Sequence, residues 1–304
     1  MTDAASIPVR RPLDLRATLI MLALCVFWGI QQIAMKAIAE DIAPTMQLAF
    51  RFGISAVFFG IWCLAREGRH LFSDGTLGSG LLLGAMFSGE FILVGEALRH
   101  TTAAHSVVFL YTSPIFTALG VQFLPEERLS VAQWVGIGVA VLGVAIAFLG
   151  HGDRPALELI KGDLLAVSAA AMWGATNVVL RRTRVGNATT TKTVFYQVGM
   201  AALLIGSFAA WSGQTHMVWS TRAIISMSFQ TIFIAIASYL IWFWLLRHYL
   251  TSRLMLMTLL TPLLGVLFGV LLLNDPIETR FAIGTALVLG GVLIVNNWRP
   301  RAKT

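Results

Sequence analysis

Apolar residues fill windows of about 19 positions again and again along the chain, each long enough to cross the hydrocarbon core of a bilayer as a helix. The windows predict ten helices, over 17–36, 44–65, 77–97, 102–123, 130–149, 163–181, 192–212, 223–246, 253–273 and 280–298. Short polar links join them. The longest, Gly150–Lys161 (GHGDRPALELIK), divides the ten into two groups of five, 1–150 and 151–304. The first window, Leu19–Lys36 (LIMLALCVFWGIQQIAMK), returns as Leu164–Arg181 (LLAVSAAAMWGATNVVLR). A shift of 145 lays Trp28–Gly29 on Trp173–Gly174, Gln31–Gln32 on Thr176–Asn177 and Lys36 on Arg181. In each copy the Trp and the two polar residues stand at i, i+3 and i+4, on one face of a helix. Such a stripe on a spanning helix faces protein or a water-filled cavity, not lipid. It serves either as helix–helix glue or as cavity lining.

The correspondence extends beyond that window. A shift of 148 lays Leu98–Arg99–His100 on Leu246–Arg247–His248, Ser113–Pro114 on Thr261–Pro262, Gly136 on Gly284 and Gly143–Val144 on Gly291–Val292. Because each half holds an odd number of spans, the second half enters the membrane with the opposite orientation. The predicted fold is therefore an all-α membrane protein, ten transmembrane helices arranged as a 5+5 inverted repeat around a central cavity.

Composition supports this class. Hydrophobic residues make up 57% of the chain and charged residues 12%, against about 25% charged in an ordinary soluble domain. The net charge of +7 becomes informative once it is placed on the loops. With the N-terminus inside, fifteen of the 22 basic residues lie on the cytoplasmic side, and Lys36, Arg99, Arg154, Lys161, Arg222 and Arg280 lie outside. The excess favours both termini in the cytoplasm. Arg10, Arg11 and Arg16 precede an apolar run too long for a signal-peptide core, so the first window reads as a retained span. No basic stripe with interleaved aromatics suggests nucleic acid. Cys25 and Cys63 lie in apolar segments without a CxxC or Cys/His cluster, so neither a disulfide nor a metal site is expected, and no cofactor motif occurs.

Two groups of five spans, Trp-Gly early in each half, Arg-His before spans four and nine, and Ser/Thr-Pro inside those spans together form a pattern. Short acidic turns follow the same spans (Pro125–Glu126–Glu127 and Asn274–Asp275–Pro276). This pattern resembles the drug/metabolite transporter superfamily, specifically its EamA-type branch, over nearly the whole chain. The resemblance implies a ten-helix basket in a bacterial inner membrane and export of small metabolites such as amino acids. Aromatic amino-acid exporters are similar in length and layout, but no residue here reads out an aromatic substrate.

Charge inside the bilayer is the sharpest site signal. Of 22 basic and 15 acidic side chains, only Arg51 and Glu90 sit well within predicted spans; Glu96 lies near an interface, where Arg99 at i+3 can pair with it. A mid-helix charge costs about 2.5–3.5 kcal/mol on insertion scales, so neither should face lipid. Counted at 1.5 Å per residue, both lie about 10–13 Å below the same surface. They can form an ion pair that locks spans two and three, or one can bind substrate while Glu90 takes up a proton. Their counterparts in the second half are Tyr196 and Ser238.

Pro114 and Pro262 remove the hydrogen-bond partners of the Leu110 and Thr258 carbonyls. Each is either a gating bend in an interrupted helix or an inert kink filled by Thr112, Ser113, Thr258 or Thr261. Trp62, Trp211, Trp219 and Trp298 lie near span ends, as interfacial tryptophans do. Trp28, Tyr111, Trp173, Tyr239 and Trp242 lie deeper, beside polar neighbours, and as a group suit a ring-lined cavity for an amphipathic or cationic ligand. Each taken singly also fits core packing. The candidate substrate-binding set is therefore Trp28, Gln31, Gln32, Arg51, Glu90, Tyr111, Trp173, Asn177, Tyr239 and Trp242, with Pro114 and Pro262 as candidate gating residues. His105, near the outer end of span four, reads as a satisfied structural histidine, with titration near neutral pH as the alternative. Gly80-x3-Gly84 and Gly265-x3-Gly269 fit close helix crossings.

A small-molecule substrate, membrane lipids and protons are the expected partners. No GxxxxGK[ST], HExxH or nucleophile elbow is present, which argues against an ATPase or a membrane enzyme. A lipid carrier or another non-transport, purely structural membrane protein is the competing class, and a lipid carrier requires a lateral opening with a basic pocket at headgroup level.

Overall fold

The apolar windows fold as helices. The computed structural model describes residues 11–101, 103–123, 128–148, 156–273 and 279–297. Among these the only extended pairing consists of two isolated bridges, Arg11 with Tyr249 and Ile42 with Met217. The helices are α1 (Leu15–Ala37), α2 (Pro44–Glu67), α3 (Leu77–His100), α4 (Ala103–Leu110), α5 (Ser113–Val121), α6 (Val131–Phe148) and α7 (Ala156–Arg182). There follow α8 (Thr190–Trp211), α9 (Thr221–Phe229), α10 (Tyr239–His248), α11 (Thr251–Met257), α12 (Leu260–Leu273) and α13 (Thr279–Asn297).

Among the described residues, six stretches are long and apolar enough to cross a membrane: Leu15–Met35, Pro44–Glu67, Leu77–His100, Ile160–Arg182, Thr190–Trp211 and Thr221–His248. Shorter apolar helices run over Val108–Val121, Val131–Ile146 and Ala282–Val295.

The chain marks its helix ends with ordinary signals. Pro44 opens α2, where its missing N–H costs nothing. Thr189 and Ser220 cap α8 and α9 by accepting from the amides of Lys192 and Ala223. Gly68 leaves α2 with φ 56°, a conformation that disfavours a side chain. Hydroxyls within the apolar helices turn back on their own backbone: Ser55 donates to the Arg51 carbonyl at 2.7 Å and Ser88 to that of Gly84 at 2.7 Å.

Two expectations are corrected, for 163–181 and 223–246, and the interruption raised by Pro114 and Pro262 is located. The window of 163–181 is part of a longer helix that begins at Ala156, because Ala-Leu-Glu-Leu-Ile-Lys is a run of good helix formers and absorbs half of the polar link. The windows of 102–123 and 253–273 are each two helices, broken at Tyr111–Thr112 and Thr258–Leu259. Finally, the window of 223–246 is not α-helical throughout, since Gln230–Ser238 winds as a π-helix between α9 and α10.

An apolar core fills the bundle, and its outer surface is apolar as well. Large apolar side chains such as Leu15, Ile61, Val131, Leu203 and Ile225 stay exposed, while Gln47, Arg51, Ser88, Thr193, Gln197 and Gln230 are buried. Principal packing pairs are α2 with α8, α6 with α13, α3 with α7 and α8, α1 with α12, and α5 with α7. Small residues permit the close approaches. A Cβ on Gly80 would meet the Tyr196 ring at 2.3 Å, and one on Gly84 would meet the Tyr196 carbonyl at 2.5 Å. The expected crossing at this pair therefore forms, between α3 and α8. Gly29 of α1 sits against the Gly265 backbone of α12, and Gly174 of α7 against Phe116 and Thr117 of α5. In the α6–α13 crossing, Gly136 meets Gly291 and Gly143 meets Gly284. Trp62, Trp211 and Trp219 are exposed, as expected of interfacial residues; Trp298 lies outside the described residues.

Candidate functional site

Helices from both halves of the chain enclose one cavity of about 160 Å³. Trp28 and Gln31 reach it from α1, Arg51 from α2, Phe87, Glu90 and Phe91 from α3, and Leu110 and Tyr111 from the end of α4. The other half contributes Trp173, Thr176 and Asn177 of α7, Gln197 of α8, Tyr239, Trp242 and Phe243 of α10, and Thr261 of α12. Nine of the ten substrate-binding candidates thus meet around one space. The tenth, Gln32, follows Gln31 on α1, and its side chain lies outside the described residues, as does that of His105.

The rings meet in two edge-to-face pairs. Trp28 and Trp242 have centroids 5.6 Å apart at 74°, and Tyr111 and Trp173 are 5.8 Å apart at 81°. The Trp28 indole N–H donates to the Ser238 hydroxyl at 3.0 Å, across the two halves. Asn177 donates to the Trp173 carbonyl at 3.0 Å and approaches the Met255 sulfur at 3.2 Å, while Gln31 donates to the Met35 sulfur at 3.5 Å.

The two membrane charges share the cavity but do not pair. Neither Arg51 nor Glu90 forms an ion pair among the described residues, which corrects the expected lock between spans two and three. Equal depth along two helices does not fix the direction in which each side chain leaves its axis. Arg51 is fully buried, and its Nη1 instead donates to Gln230 Oε1 at 3.4 Å, with the Phe52 ring 4.9 Å from its guanidinium carbon. The Tyr239 hydroxyl is a further electrostatic and hydrogen-bonding neighbour of the guanidinium. Glu90, 9% exposed, lies at the junction with a second space. That space, about 550 Å³, shares Gln31, Glu90, Phe91 and Leu110 with the cavity and runs on past Leu98, Arg99, Pro44, Ser212 and Gln214. All five stand at one end of the bundle, where α2 begins and α3 and α8 finish.

The opposite end is bound together. Lys192 of α8, 0% exposed, donates to Glu67 of α2 at 2.8 Å and to Asp74, just before α3, at 2.8 Å. Burial works to raise the Asp74 carboxyl, but the Lys192 and Thr76 hydrogen bonds outweigh it and bring it down to about 2. Asp14 accepts from the Tyr249 hydroxyl at 3.0 Å, and Arg247 donates to the Ala188 carbonyl. At the end reached by the 550 Å³ space, Arg222 grips Asp41 through Nε and Nη2 at 2.7 and 2.9 Å. That contact, and then the Ser220 hydroxyl, hold Asp41 down at about 2. As expected, Arg99 pairs with Glu96 at 3.1 Å.

Both proline-containing spans break one turn ahead of the proline. Thr112 donates through its hydroxyl to the Phe109 carbonyl at 2.6 Å, and Thr258 likewise to that of Met255 at 2.6 Å. The Thr258 carbonyl, deprived of its usual partner by Pro262, accepts from the Thr261 amide at 2.9 Å. Tyr111 stands in the first break, and Thr261 follows the second, so both interruptions border the cavity.

Sequence reasoning missed Gln197, Thr176, Thr261, Phe87 and Phe91 as lining residues, and the role of Gln230 behind them. Gln197 and Gln230 were visible as lone polar positions in apolar spans but carried no charge to single them out. Tyr196, the counterpart of Arg51, packs over Gly80 and meets Thr76 at 3.1 Å, away from the cavity. Among the described residues no three His, Cys, Asp or Glu side chains gather as a metal-ligand set.

The sequence pattern of the EamA-like transporter family matches residues 15–149 and again 160–297. The chain belongs to the EamA-like transporter family. It is 24% identical over 281 residues to the uncharacterized transporter YoaV of Bacillus subtilis, covering 90% of this chain and 94% of that one. Identity is 27% over 297 residues with a probable amino-acid metabolite efflux pump of Escherichia coli, covering 93% and 96%. A solved crystal structure superposes with a TM-score of 0.76 at 22% identity, over 93% of this chain and 96% of that one, and establishes likeness of fold. The relatives are named as transporters, and none of the matches indicates a catalytic family.

Proposed function

We propose that this EamA-family protein is a secondary transporter that exports small metabolites, amino acids with aromatic ones among them, across the bacterial inner membrane by alternating access. The observation that carries the reading is the cavity. It is built from both halves, it holds a buried cation and a carboxyl that do not neutralise one another, and it continues toward one end while the other is clasped. The relatives named as probable amino-acid metabolite efflux pumps in Escherichia coli and Salmonella typhimurium support this choice of substrate class and direction.

Residues 1–150 and 151–304 act as the two moving units, each of five spans and of opposite orientation. Several contacts support this. Under shifts of 145 and 148, Gly29 against Gly265 becomes Gly174 against Thr117, and Gly136 against Gly291 becomes Gly284 against Gly143. Such interchange is what a two-fold relation between the halves produces. The family pattern also matches twice, once per half.

With both termini in the cytoplasm, the space past Pro44 and Arg99 opens outward and the Lys192 cluster seals the cytoplasmic end. Trp28, Gln31, Gln32, Arg51, Glu90, Tyr111, Trp173, Asn177, Tyr239 and Trp242 hold the substrate, and the breaks at Pro114 and Pro262 are the hinges. Glu90 is the candidate proton carrier. Uptake of labelled amino acids, purines and cationic drugs into proteoliposomes, with and without a pH gradient, tests the reading. Amino acids should accumulate against their gradient in the parent; Glu90→Gln should lose that accumulation and keep exchange. Identical behaviour of parent and Glu90→Gln at every pH would remove the proton role, and no flux of any compound would remove the transport reading.

A further inference from the structure

Arg51 is held in a way that leaves one edge of its guanidinium open. Nη1 is taken up by Gln230, whereas Nε and Nη2 donate to nothing among the described residues although both are buried. These two atoms form the side-on fork that grips a carboxylate through two parallel hydrogen bonds. The same protein shows the fork in use, since Arg222 holds Asp41 through its own Nε and Nη2. On α8, which packs against α2, Gln197 lines the same cavity as Arg51, with both ends of its carboxamide buried and without a hydrogen-bond partner among the described residues. Two buried guanidinium donors without acceptors, beside a buried amide without partners, are unfavourable unless a ligand completes them.

The fork is also aimed. Gln47 donates through Nε2 to the carbonyls of Ile42 at 2.8 Å and Met35 at 3.2 Å, groups that can only accept. Its Oε1 therefore remains to accept from Gln230 Nε2 at 3.0 Å, while Gln230 also donates to the Ser226 hydroxyl at 3.2 Å. With both donors used, Gln230 turns Oε1 toward Arg51. The relay starts at fixed backbone and ends on Nη1, so the Nε/Nη2 edge is the one left free. Gln230 opens the π-helix, an element that recurs at functional sites.

We propose that Arg51 and Gln197 form a carboxylate-binding subsite, with Gln47 and Gln230 as positioning residues, and that ligands of this protein are monocarboxylates carrying an apolar, planar body. One cation facing one carboxyl suits a singly charged head better than a phosphate, and the Trp28–Trp242 and Tyr111–Trp173 pairs suit the body. The inference rests on the cavity being the substrate site.

The test is calorimetric binding to the full chain in nanodiscs of 3-phenylpropionate, its amide and phenethylamine, which share a body and differ in the head. The parent should prefer the carboxylate to the amide by about tenfold or more at neutral pH. Arg51→Gln should reduce that preference to within about twofold, and Gln230→Leu should narrow it partway, a selectivity change that a merely structural role would not give. Equal affinities for carboxylate and amide in the parent would overturn the proposal without any variant having to fold. Retention of the preference in Arg51→Gln would also overturn it. Flux of amino acids in proteoliposomes without head-group preference would sink the subsite and leave the transport reading standing; head-group preference with no flux would do the reverse.

Discussion

Lys192 carries an ammonium group sealed from solvent at the start of an apolar helix. Its two partners keep some water, with side chains 23% exposed at Glu67 and 40% at Asp74. Removing one member of a buried pair typically costs about 3–5 kcal/mol, and the exposure of the carboxylates lowers that figure here. Lys192→Met should therefore lose about 1–3 kcal/mol, seen as a lower melting temperature in detergent. The Asp41–Arg222 contact makes a pH prediction of definite sign. Asp41 sits at about 2 when folded against an ordinary 3.8, so it binds fewer protons folded than unfolded. Its stabilisation is complete above about pH 4 and is lost as the pH falls toward 2. Amide exchange around Ser220–Ala223 should rise over that interval in the parent, and Asp41→Asn should show the raised rate already at neutral pH.

At the scale of elements, glycine decides which helices can touch. A Cβ on Gly143 of α6 would stand 2.7 Å from the Gly284 carbonyl and 2.8 Å from the Val288 amide, backbone atoms that cannot turn aside. On Gly53 of α2 it would meet nothing within 4 Å. Gly143→Ala should therefore destabilise by about 1–3 kcal/mol through overpacking of α6 against α13. Gly53→Ala should be neutral or stabilising by about 0.5–1 kcal/mol, because alanine is the better helix former. Thermal melts of the two variants side by side give the comparison; equal losses would mean that the α6–α13 crossing is looser than it stands. The broken spans follow the same logic from the opposite direction. Proline removes a donor, the chain leaves the helix one turn earlier, and at each break a threonine hydroxyl donates to the carbonyl three residues before it, that of Phe109 or Met255.

The whole molecule joins its halves at both ends, through Lys192 with Glu67 and Asp74 at one and Arg222 with Asp41 at the other. In the proposed cycle the first cluster must part for the cavity to reach the cytoplasm. The orientation this assumes has a direct check. Glu40 is 94% exposed at the Asp41 end, and Arg66 is exposed at the Lys192 end. The native Cys25 and Cys63 are 0% and 2% exposed, so introduced thiols report cleanly. On intact cells a membrane-impermeant maleimide should label Glu40→Cys and should reach Arg66→Cys only after lysis. The reverse pattern would invert the topology and turn the open end toward the cytoplasm.

Much of the candidate site was legible because polar side chains are scarce in spans that meet lipid. Trp28, Gln31, Arg51, Glu90 and Asn177 had to turn inward, and inward in a bundle of this size leads to one place. Pro114 and Pro262 announced the breaks for an equally local reason, a missing N–H. Lys192 was legible only as a boundary charge that sets topology; its burial depends on two carboxylates from a distant stretch. The pairing of Arg51 was hidden for a related reason. Depth follows from counting residues along an axis, but azimuth follows from how α2, α8 and the π-helix pack, and the π-helix itself leaves no mark in the apolar pattern. The sequence alone therefore determined which side chains leave the lipid and roughly how deep they lie, since both are properties of one helix and its solvent. Only the tertiary structure decided that Arg51 answers to Gln230 and not to Glu90, because partners are chosen by the packing of helices distant in the chain.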